Sequence, residues 1–495
     1  MALTLKTAIK GSGDATAVII PSKPAKLAGL GIKTGAPVSI ALVNSYEFIV
    51  SFLATSWQRA IAAPLNPAYK QDEFEFYIDD VKSALVLVPR GAVAQNTPAV
   101  RAARRFKAAI AECYWDEAKG EVALDVKSRA NLDISSTSKS PSLTMSRSSC
   151  TRGAAYSPKL DSNDAYVCRP CVHRNIQQTY ELTSNDRTML VMPLFHVHGL
   201  LCALLAPFYS GGSMVVPNKF SASEFWDDFI HHQANWYTAV PTIHQILLKG
   251  PTPSPLPKIR FIRSCSSPLS PTVLERLEKA YRAPVLEAYA MTEAAHQMTS
   301  NPLPPSKRKP GSVGVGQGVE IKILDDAGDE LPQGKEGEIC IKGENVTKGY
   351  LNNEAANKSS YTKSGFFRTG DQGLKDADGY IIITGRIKEL INKGGEKISP
   401  IELDNVLTQH PAVSEAVSFA IPDELYGQDI GVAVVLKSGE NLAADELKNW
   451  VLEKLAKFKT PKKIYFTEVM PKTATGKIQR RIVAETMQKQ DKPKL

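Results

Sequence analysis

Strand-like segments alternate with helix-like ones along the first part of this 495-residue chain. The segment "VSIALVNSYEFIV" (38–50) has the pattern of a buried strand that runs into a helix, and "SALVLVPR" (83–90) has that of another short buried strand. Between them, "AIAAPLNPAY" (60–69) reads as an apolar strand that two prolines bring to an end. Alternation of this kind predicts an α/β fold in which β-sheets are layered with helices.

The pattern changes near Arg386. Beyond it, "AVSEAVSFAIPD", "DIGVAVVL" and "AADELKNWVLEKLAKF" indicate a compact α+β unit. A chain of this length is too long for one hydrophobic core, so at least two domains are expected. We predict a large domain over 1–385 and a small domain over 386–495.

The segment 131–164 has no apolar period and is crowded with Ser, Thr, Lys and Arg. Such a composition is typical of a linker or a disordered insert. We therefore expect this segment to interrupt the large domain without adding to its core.

The chain carries a formal net charge of +9, which favours anionic partners. Nucleotides, coenzymes, nucleic acid and membrane surfaces all qualify, and net charge does not choose among them. The sequence offers no aromatic and basic RNA-binding module, so nucleic acid is not an expected partner. The longest apolar stretch, "GLLCALLAPF", is too short to span a bilayer, so no transmembrane segment is expected.

Cysteine usage bears on the compartment. An odd count of seven cysteines and the lack of a basic-then-apolar leader predict free thiols in a reducing compartment. The last residues, "KPKL", resemble the peroxisomal signal S-K-L, with Pro493 where serine is preferred. The expected location is therefore the peroxisome or the cytoplasm, and a peroxisomal import receptor is a candidate partner.

Three residue types suited to a nucleotide lie together in "EAYAMTEAAHQMTS" (287–300). The aromatic Tyr289 has a face that can stack on a base, the hydroxyl of Thr292 can hold a phosphate oxygen, and the carboxylate of Glu293 can hold Mg²⁺. The alternative is a helix start, with Thr292 as its cap and Glu293 in its first turn.

Two further segments carry candidate groups. In "FFRTGDQG" (366–373), Asp371 stands in a Gly-rich turn where its carboxylate could accept both hydroxyls of a ribose, or it is part of a plain turn between strands. In "GRIKELINKGGEKISP" (385–400), basic residues and a flexible glycine pair form either a hinge with an anion contact or an amphipathic helix with a solvated face.

A lone lysine, Lys477, stands in "PKTATGKIQRR" (471–481). A phosphate loop of the Walker type needs a second glycine and a Ser or Thr after the lysine, and both are missing here. From this segment alone, the lysine reads as part of a basic turn on the surface.

The order and spacing of these segments are more informative than any one of them. "PLFHVHG", "RSCSSPL", "EAYAMTE", "GEICIKG", "FRTGD", "GRIKELINKGGEKISP" and "PKTATGKIQRR" follow one another as in a single family. The chain resembles the adenylate-forming acyl-CoA synthetases, from about Ala62 to Arg481. Within that family, "LEAYAMTEAAHQMTSNPLP" and "GRIKELINKGGEKISPIELD" are most similar to the oxalyl-CoA synthetases of fungi and plants.

The resemblance implies a two-step reaction with ATP, Mg²⁺ and coenzyme A. A small carboxylic acid would first be joined to AMP, and CoA would then take up the acyl group. Lys477 matches the mobile lysine that contacts the carboxylate and the α-phosphate during adenylation. Thr292 would hold the α-phosphate, and Glu293 would be the magnesium ligand.

The resemblance also implies roles for the nucleotide-binding and coenzyme-binding residues. Tyr289 would pack against adenine, Asp371 and Arg386 would hold the ribose hydroxyls, and Lys388 would be the hinge of the small domain. Further nucleotide or coenzyme contacts are implied for Ser266, Ser267, Pro268, Met291, Lys393, Gly394 and Gly395. The last three would approach the pantetheine arm of CoA.

His196 matches the family histidine at the mouth of the acyl pocket, although a satisfied buried histidine is the alternative. Oxalate brings a second carboxylate, and burying that charge unpaired is very costly. Arg263, Ser264 and His296 are the candidates for pairing with it. A pocket for fatty acids would not need them.

The chain departs from the family before "HRN" (173–175). The family has a phosphate loop of the form T-S-G-T-T-G-x-P-K there, and this sequence has "SNDAYVCRPCVHRN". Since that loop holds the β- and γ-phosphates, its loss leaves a catalytically impaired relative or a mis-joined chain as alternatives. Cys168, Cys171 and His173 could suggest zinc, but one C-x-x-C without a second pair is a weak signal.

Overall fold

The computed structural model describes residues 30–129, 154–155, 166–167, 170–350, 353–472 and 478–490. The chain divides into two compact units. The first unit comprises Met1–Thr238, Ala290–Gln297 and Glu344–Ser359, and the second comprises Ala239–Tyr289, Met298–Gly343 and Ser360–Leu495.

The first unit contains a mixed seven-stranded sheet with the strand order β5-β4-β3-β1-β2-β6-β7. Its strands are β1 (Pro37–Ile40), β2 (Ile61–Pro64), β3 (Leu85–Pro89), β4 (Ala109–Asp116), β5 (Glu121–Ser128), β6 (Ala154–Ala155) and β7 (Tyr166–Val167). Strands β1 to β4 and β6 pair in parallel, and β5 and β7 pair antiparallel to their neighbours. The three apolar segments predicted as strands are β1, β2 and β3.

Helices connect the parallel strands of this sheet: α1 (Tyr46–Trp57), α2 (Gln71–Asp80) and α3 (Pro98–Arg105). Helix α1 begins where the Ser45 hydroxyl accepts a hydrogen bond from the Phe48 amide at 3.2 Å. The faces of α2 and α3 pack on the sheet through a buried cluster that includes Phe74, Val86 and Val100. This alternation of strand and helix confirms the predicted α/β class.

A second group of elements in the first unit carries residues of the candidate site or residues that contact them. In chain order these are α4 (Pro170–Thr179), β8 (Arg187–Leu190), a π-helical segment (His198–Leu205), α5 (Ala206–Ser210), β9 (Ser213–Val215), α6 (Phe225–His231), β10 (Trp236–Ala239) and α9 (Glu354–Ser360). Strand β8 pairs in parallel with β9 and with β10. Across the ranges that the structure describes, no helix is long and apolar enough to cross a membrane.

The second unit begins with parallel strands and continues as an antiparallel meander. Its elements here are α7 (Pro241–Lys249), β11 (Phe261–Ser264), α8 (Pro271–Tyr281), β12 (Val285–Met291), β13 (His296–Ser300), β14 (Val315–Gly316), β15 (Glu320–Leu324), β16 (Gly337–Lys342), β17 (Phe367–Lys375) and β18 (Ile381–Arg386). Strands β11 and β12 are parallel, whereas β15 to β18 form an antiparallel four-stranded sheet.

The C-terminal part of the second unit is an α+β arrangement, as predicted. It contains β19 (Ile391–Lys393), β20 (Glu396–Ile398), α10 (Pro400–Thr408), β21 (Val413–Asp423), β22 (Gly427–Leu436), α11 (Ala444–Lys454), β23 (Lys463–Phe466) and α12 (Arg480–Gln490). Helices α10 and α11 cover the sheet through a buried cluster with Leu403, Leu447 and Val432. Helix α12 contributes Val483 and Met487 to a second buried cluster.

Two predictions about organisation stay predictions. Arg386 lies at the end of β18, where a boundary between 1–385 and 386–495 was expected. The expected insert, 131–164, lies outside the described residues apart from 154–155.

Candidate active site

Three predicted nucleotide-binding residues meet in the second unit, and we call them the Asp371 cluster: Tyr289, Asp371 and Arg386. Tyr289 lies near the end of β12, Asp371 lies on β17, and Arg386 ends β18 directly opposite Asp371 in the strand register. The Tyr289 hydroxyl donates a hydrogen bond to Asp371 Oδ2. Arg386 Nε contacts the other carboxylate oxygen, Oδ1, at 2.9 Å. The pairing of β17 with β18 and the hydrogen bond from Tyr289 therefore fix the orientation of this carboxylate.

Burial sets the electrostatics of the Asp371 cluster. The Asp371 side chain is 6% exposed, whereas that of Arg386 is 60% exposed. Burial raises the pKa of Asp371, and the charge of Arg386 and the hydrogen bond from Tyr289 oppose that rise. Burial, followed by the charge of Asp371, raises the pKa of Tyr289 well above its usual range. The cluster thus offers an oriented carboxylate beside a solvent-facing guanidinium, which suits vicinal hydroxyl groups.

The predicted nucleotide loop 266–268 lies in the same unit. Ser266 takes a left-handed backbone conformation with φ of 73°, the Ser267 hydroxyl donates to the Ser266 carbonyl at 2.8 Å, and Pro268 is exposed. The end of the loop is anchored because the amide of Leu269 donates to Glu287 Oε1 at 3.0 Å.

Glu287 is a residue that sequence reasoning missed. It is 5% exposed on β12, two positions before Tyr289, so both side chains project from one face of the strand. Burial raises the pKa of Glu287 to about 8, with the Leu269 amide opposing the rise. The sequence feature that could have indicated Glu287 is a carboxylate within the apolar strand "VLEAYAM".

In the first unit, Thr292, Glu293 and Ala294 form a single helical turn after β12, which we call the Glu293 turn. Met291, Thr292 and Glu293 are each half-buried. The turn is not the start of a longer helix, because Ala295 and His296 follow with left-handed φ values of 47° and 87°. The alternative reading of Thr292 as the cap of a regular helix is therefore wrong.

Three residues of one loop hold the Glu293 turn. Asn345 donates through Nδ2 to the carbonyls of Ala294 at 2.8 Å and Gln297 at 3.3 Å. The amide of Thr347 donates to the Glu293 carbonyl at 2.7 Å. The Tyr350 hydroxyl donates to Glu293 Oε1 at 3.1 Å. Sequence reasoning missed all three, because they lie about fifty residues further along the chain.

The Glu293 carboxylate fits a magnesium ligand. Within the described parts of the chain, its Oε1 is bound by Tyr350 and its Oε2 has no hydrogen-bond or ion-pair partner. Mg²⁺ keeps several waters and is often held by one or two carboxylates together with substrate phosphates. One such carboxylate is therefore a sufficient protein contribution.

Two more predicted residues, His196 and His296, belong to a histidine group in the first unit. His196 is half-buried, and its Nδ1 accepts a hydrogen bond from the amide of His198 at 3.1 Å. His198 is fully buried, lies 2.6 Å from the Thr238 hydroxyl through Nε2, and stacks on His296 with ring centroids 5.1 Å apart. Sequence reasoning missed His198, although "PLFHVHG" contains both histidines.

Arg263 and Ser264 lie on β11, and both are fully buried. Because they are consecutive strand residues, their side chains project to opposite faces of the sheet, so the structure does not bring the two together. Ser264 is paired with Glu287 in the register of β11 and β12, so those two share a face. Ser264 Oγ and Glu287 Oε2 are buried without a hydrogen-bond partner among the described residues.

The predicted hinge and coenzyme residues follow β18. Lys388 is exposed in a short helical turn, Ile387–Glu389. Lys393 pairs with Asp429 at 2.6 Å. Gly394 and Gly395 connect β19 to β20 with φ values of 59° and 94°, which only glycine adopts readily. The segment is thus a tight hairpin, and the reading of it as an amphipathic helix is wrong.

Lys477 lies outside the described residues, as do Cys168 and part of the region where the phosphate loop was expected, namely 162–165 and 168–169. His173 is buried on α4, and burial lowers its pKa to about 4. Across the described ranges, no group of three His, Cys, Asp or Glu residues could hold a metal ion.

Comparison with known proteins identifies the families and relatives to which this chain is similar. The model of the AMP-binding enzyme family matches residues 25–351, and that of the AMP-binding enzyme C-terminal domain matches residues 402–477. The chain is 48% identical over 478 residues to the oxalate–CoA ligase of Saccharomyces cerevisiae, covering 92% of this chain and 88% of the relative. It is 46% identical over 466 residues to the oxalate–CoA ligase of Arabidopsis thaliana, covering 92% and 89%.

A solved structure with a similar fold is that of ATP-bound MatB from Rhodopseudomonas palustris. It superposes with a TM-score of 0.81 at 27% identity, covering 95% of this chain and 92% of that one.

Proposed function

This chain belongs to the AMP-binding enzyme family, and we propose that within the family it is an ATP-dependent acid–CoA ligase whose acid is oxalate. The observation that carries the proposal is sequence identity. Over about nine-tenths of the chain, nearly half of the residues are identical to those of two oxalate–CoA ligases, one from a yeast and one from a plant. A match to the family alone would not identify the acid, because proteins of one fold act on many different substrates.

The proposed reaction has two steps. One oxygen of the acid attacks the α-phosphorus of ATP, which forms an acyl-adenylate and releases pyrophosphate. The thiol of CoA then attacks the acyl carbon, which forms the thioester and releases AMP. The substrates are therefore ATP, coenzyme A and a small carboxylic acid.

The Asp371 cluster is suited to the ribose of ATP. Asp371 is held at one oxygen by Tyr289 and at the other by Arg386, so it would meet the hydroxyl groups already oriented. We assign the adenine to the face of Tyr289 and to the loop 266–268, with Met291 following on the same strand. Positioning of this kind lowers the entropic cost of bringing the reactants together.

The Glu293 turn is suited to the phosphates. Glu293 would hold Mg²⁺, which neutralises phosphate charge when it is bound. We assign the α-phosphate to the hydroxyl of Thr292, which stands next to Glu293 in the turn.

Lys477 is proposed as the residue that stabilises the charge that develops during adenylation. Removing one preorganised donor of this kind typically costs about 10²- to 10³-fold in rate. Lys388 would be the hinge of the small domain, because two half-reactions need different groups around one adenylate. The hairpin of Lys393, Gly394 and Gly395 is proposed to approach the pantetheine arm of CoA.

The candidates for direct contact with the acid are Arg263, Ser264, His196 and His296. Arg263 is a fully buried cation, and such a charge suits a second carboxylate that must leave water. The buried Ser264 hydroxyl, which lacks a hydrogen-bond partner in the described part of the chain, offers one more polar contact. Because these two project to opposite faces, at most one of them contacts the acid directly.

The proposed location is the peroxisome or the cytoplasm. A peroxisomal import receptor is a proposed partner.

The test is thioester formation by the purified chain with ATP, Mg²⁺, CoA and a panel of oxalate, malonate, acetate and benzoate. The proposal expects oxalyl-CoA as the main product. A different preferred acid would contradict the assignment of oxalate, and no product with any acid would favour an impaired relative without a working phosphate loop.

The residue assignment is tested by Arg263→Leu. Loss of the counter-charge should lower kcat/KM for oxalate by about 10²-fold or more, since an unpaired buried carboxylate costs several kcal/mol. The affinity for ATP should be retained. Unchanged oxalate kinetics would remove Arg263 from the acid site.

A further inference from the structure

We propose that Tyr350 is a positioning residue that orients the Glu293 carboxylate toward its metal ion. This inference rests on the proposed function, in which Glu293 holds Mg²⁺. The Tyr350 hydroxyl reaches Glu293 Oε1 at 3.1 Å across 57 residues of sequence. The contact therefore comes from the fold and not from local chain geometry.

Tyr350 is itself held on both sides of its backbone. Its amide donates to Asn357 Oδ1 at 2.5 Å, and its carbonyl accepts from Asn357 Nδ2 at 2.9 Å. Asn357 lies on α9, so a helix side chain fixes the position of the tyrosine backbone. A residue held in this way loses little further entropy when its hydroxyl binds a partner.

A glycine before Tyr350 suits this arrangement. A Cβ added to Gly349 would lie 3.0 Å from Asn357 Oδ1, which is closer than side chains tolerate without a shift. The Thr347 hydroxyl also donates to the Gly349 carbonyl at 3.0 Å. The loop is thus shaped to bring Tyr350 close to Asn357 and to present its hydroxyl to Glu293.

The chemistry of the contact explains why a tyrosine is suitable. A neutral hydroxyl satisfies Oε1 and leaves the negative charge of the carboxylate in place, whereas a lysine or arginine would offset it. Oε2 is then the oxygen that remains for a cation, in the part of the chain that the structure describes. Partners of a metal ligand that fix its orientation typically change metal affinity or activity by about 10- to 100-fold when they are removed.

The experiment compares Tyr350→Phe with Tyr380→Phe. Tyr380 also donates its hydroxyl to a protein oxygen, the carbonyl of Lys307, so the control loses a comparable hydrogen bond elsewhere. For each protein, the Mg²⁺ concentration that gives half-maximal pyrophosphate release is measured at saturating ATP. Binding of Mn²⁺ in the presence of a non-hydrolysable ATP analogue is followed by electron paramagnetic resonance, and thermal unfolding is recorded.

We expect Tyr350→Phe to need at least about tenfold more Mg²⁺ for half-maximal pyrophosphate release. It should also bind Mn²⁺ more weakly by a similar factor. Tyr380→Phe should match the wild type in both. Unchanged metal dependence of Tyr350→Phe in an active enzyme would overturn the inference alone. Failure of the wild type to release pyrophosphate would overturn the proposed function instead.

Discussion

Two carboxylates of this protein each accept a hydrogen bond from a tyrosine, yet their surroundings differ. Asp371 is buried between paired strands and has its own cation in Arg386. Glu293 is half-buried in a single turn that a distant loop holds, and among the described residues no cationic side chain pairs with it.

This difference indicates a division of labour. A carboxylate whose charge is already paired with a guanidinium is suited to neutral hydroxyl groups, whereas an unpaired carboxylate retains its attraction for a metal cation. Strand register sets Arg386 opposite Asp371, and a hydrogen bond from Tyr289 completes that cluster. The Glu293 turn is held by hydrogen bonds from a distant loop. The two regions should therefore respond differently to substitution.

The largest effect is expected at the Asp371 cluster. Asp371→Asn keeps the shape of the side chain but removes its charge, which leaves Arg386 without its partner and weakens the contact with ribose. Because hydrogen bonds to charged groups contribute about 1.5–3 kcal/mol each, the Kd for ATP should rise by about 10- to 10²-fold. Isothermal titration with ATP measures it.

The same variant should leave the Mg²⁺ concentration for half-maximal activity unchanged, because the Glu293 turn is untouched. A Kd for ATP equal to that of the wild type would refute the ribose assignment. A changed Mg²⁺ requirement would show that the two regions are not independent.

An intermediate effect is expected at the loop that holds the Glu293 turn. Asn345→Ala removes the donor for the buried carbonyls of Ala294 and Gln297, so the free energy of unfolding should fall by about 1–3 kcal/mol. Urea unfolding measures the loss. The control is Asn218→Ala at an exposed position, which should change stability by less than about 0.5 kcal/mol. Equal stability of the two variants would argue against this role for Asn345.

The third effect is expected at Glu287 and depends on pH. Its pKa is raised to about 8 in the folded protein, so folding favours the protonated form. Its contribution to the free energy of unfolding is therefore full below its ordinary pKa, declines as pH rises, and is lost once pH passes about 8.

Glu287→Gln removes this titration. Relative to the wild type, the variant should become more stable as the pH is raised from about 5 to about 9, and urea unfolding across that range checks the trend. A stability difference that does not vary with pH would contradict the raised pKa.

The sequence predicted part of this arrangement. The apolar segments predicted β1, β2 and β3, and the motifs singled out Tyr289, Asp371, Arg386 and Glu293. Strand patterns are local, so they can be found in a short window.

The sequence did not predict the residues that support these groups. Tyr350 and Asn345 act on a turn about fifty residues away, and Glu287 acts on a loop that strand pairing brings beside it. Such contacts depend on the register and on chain reversal, which no local pattern encodes. The sequence also did not show that Arg263 and Ser264, as consecutive residues of one strand, project to opposite faces of the sheet.

Adenylation of oxalate by this chain is the step on which the proposed function depends. The most direct measurement is exchange of labelled pyrophosphate into ATP with oxalate and Mg²⁺ in the absence of CoA. We expect exchange that depends on oxalate in the wild type and falls by about 10²-fold or more in Lys477→Ala. Absence of exchange with oxalate in the wild type would contradict the proposed function, even if other acids supported exchange.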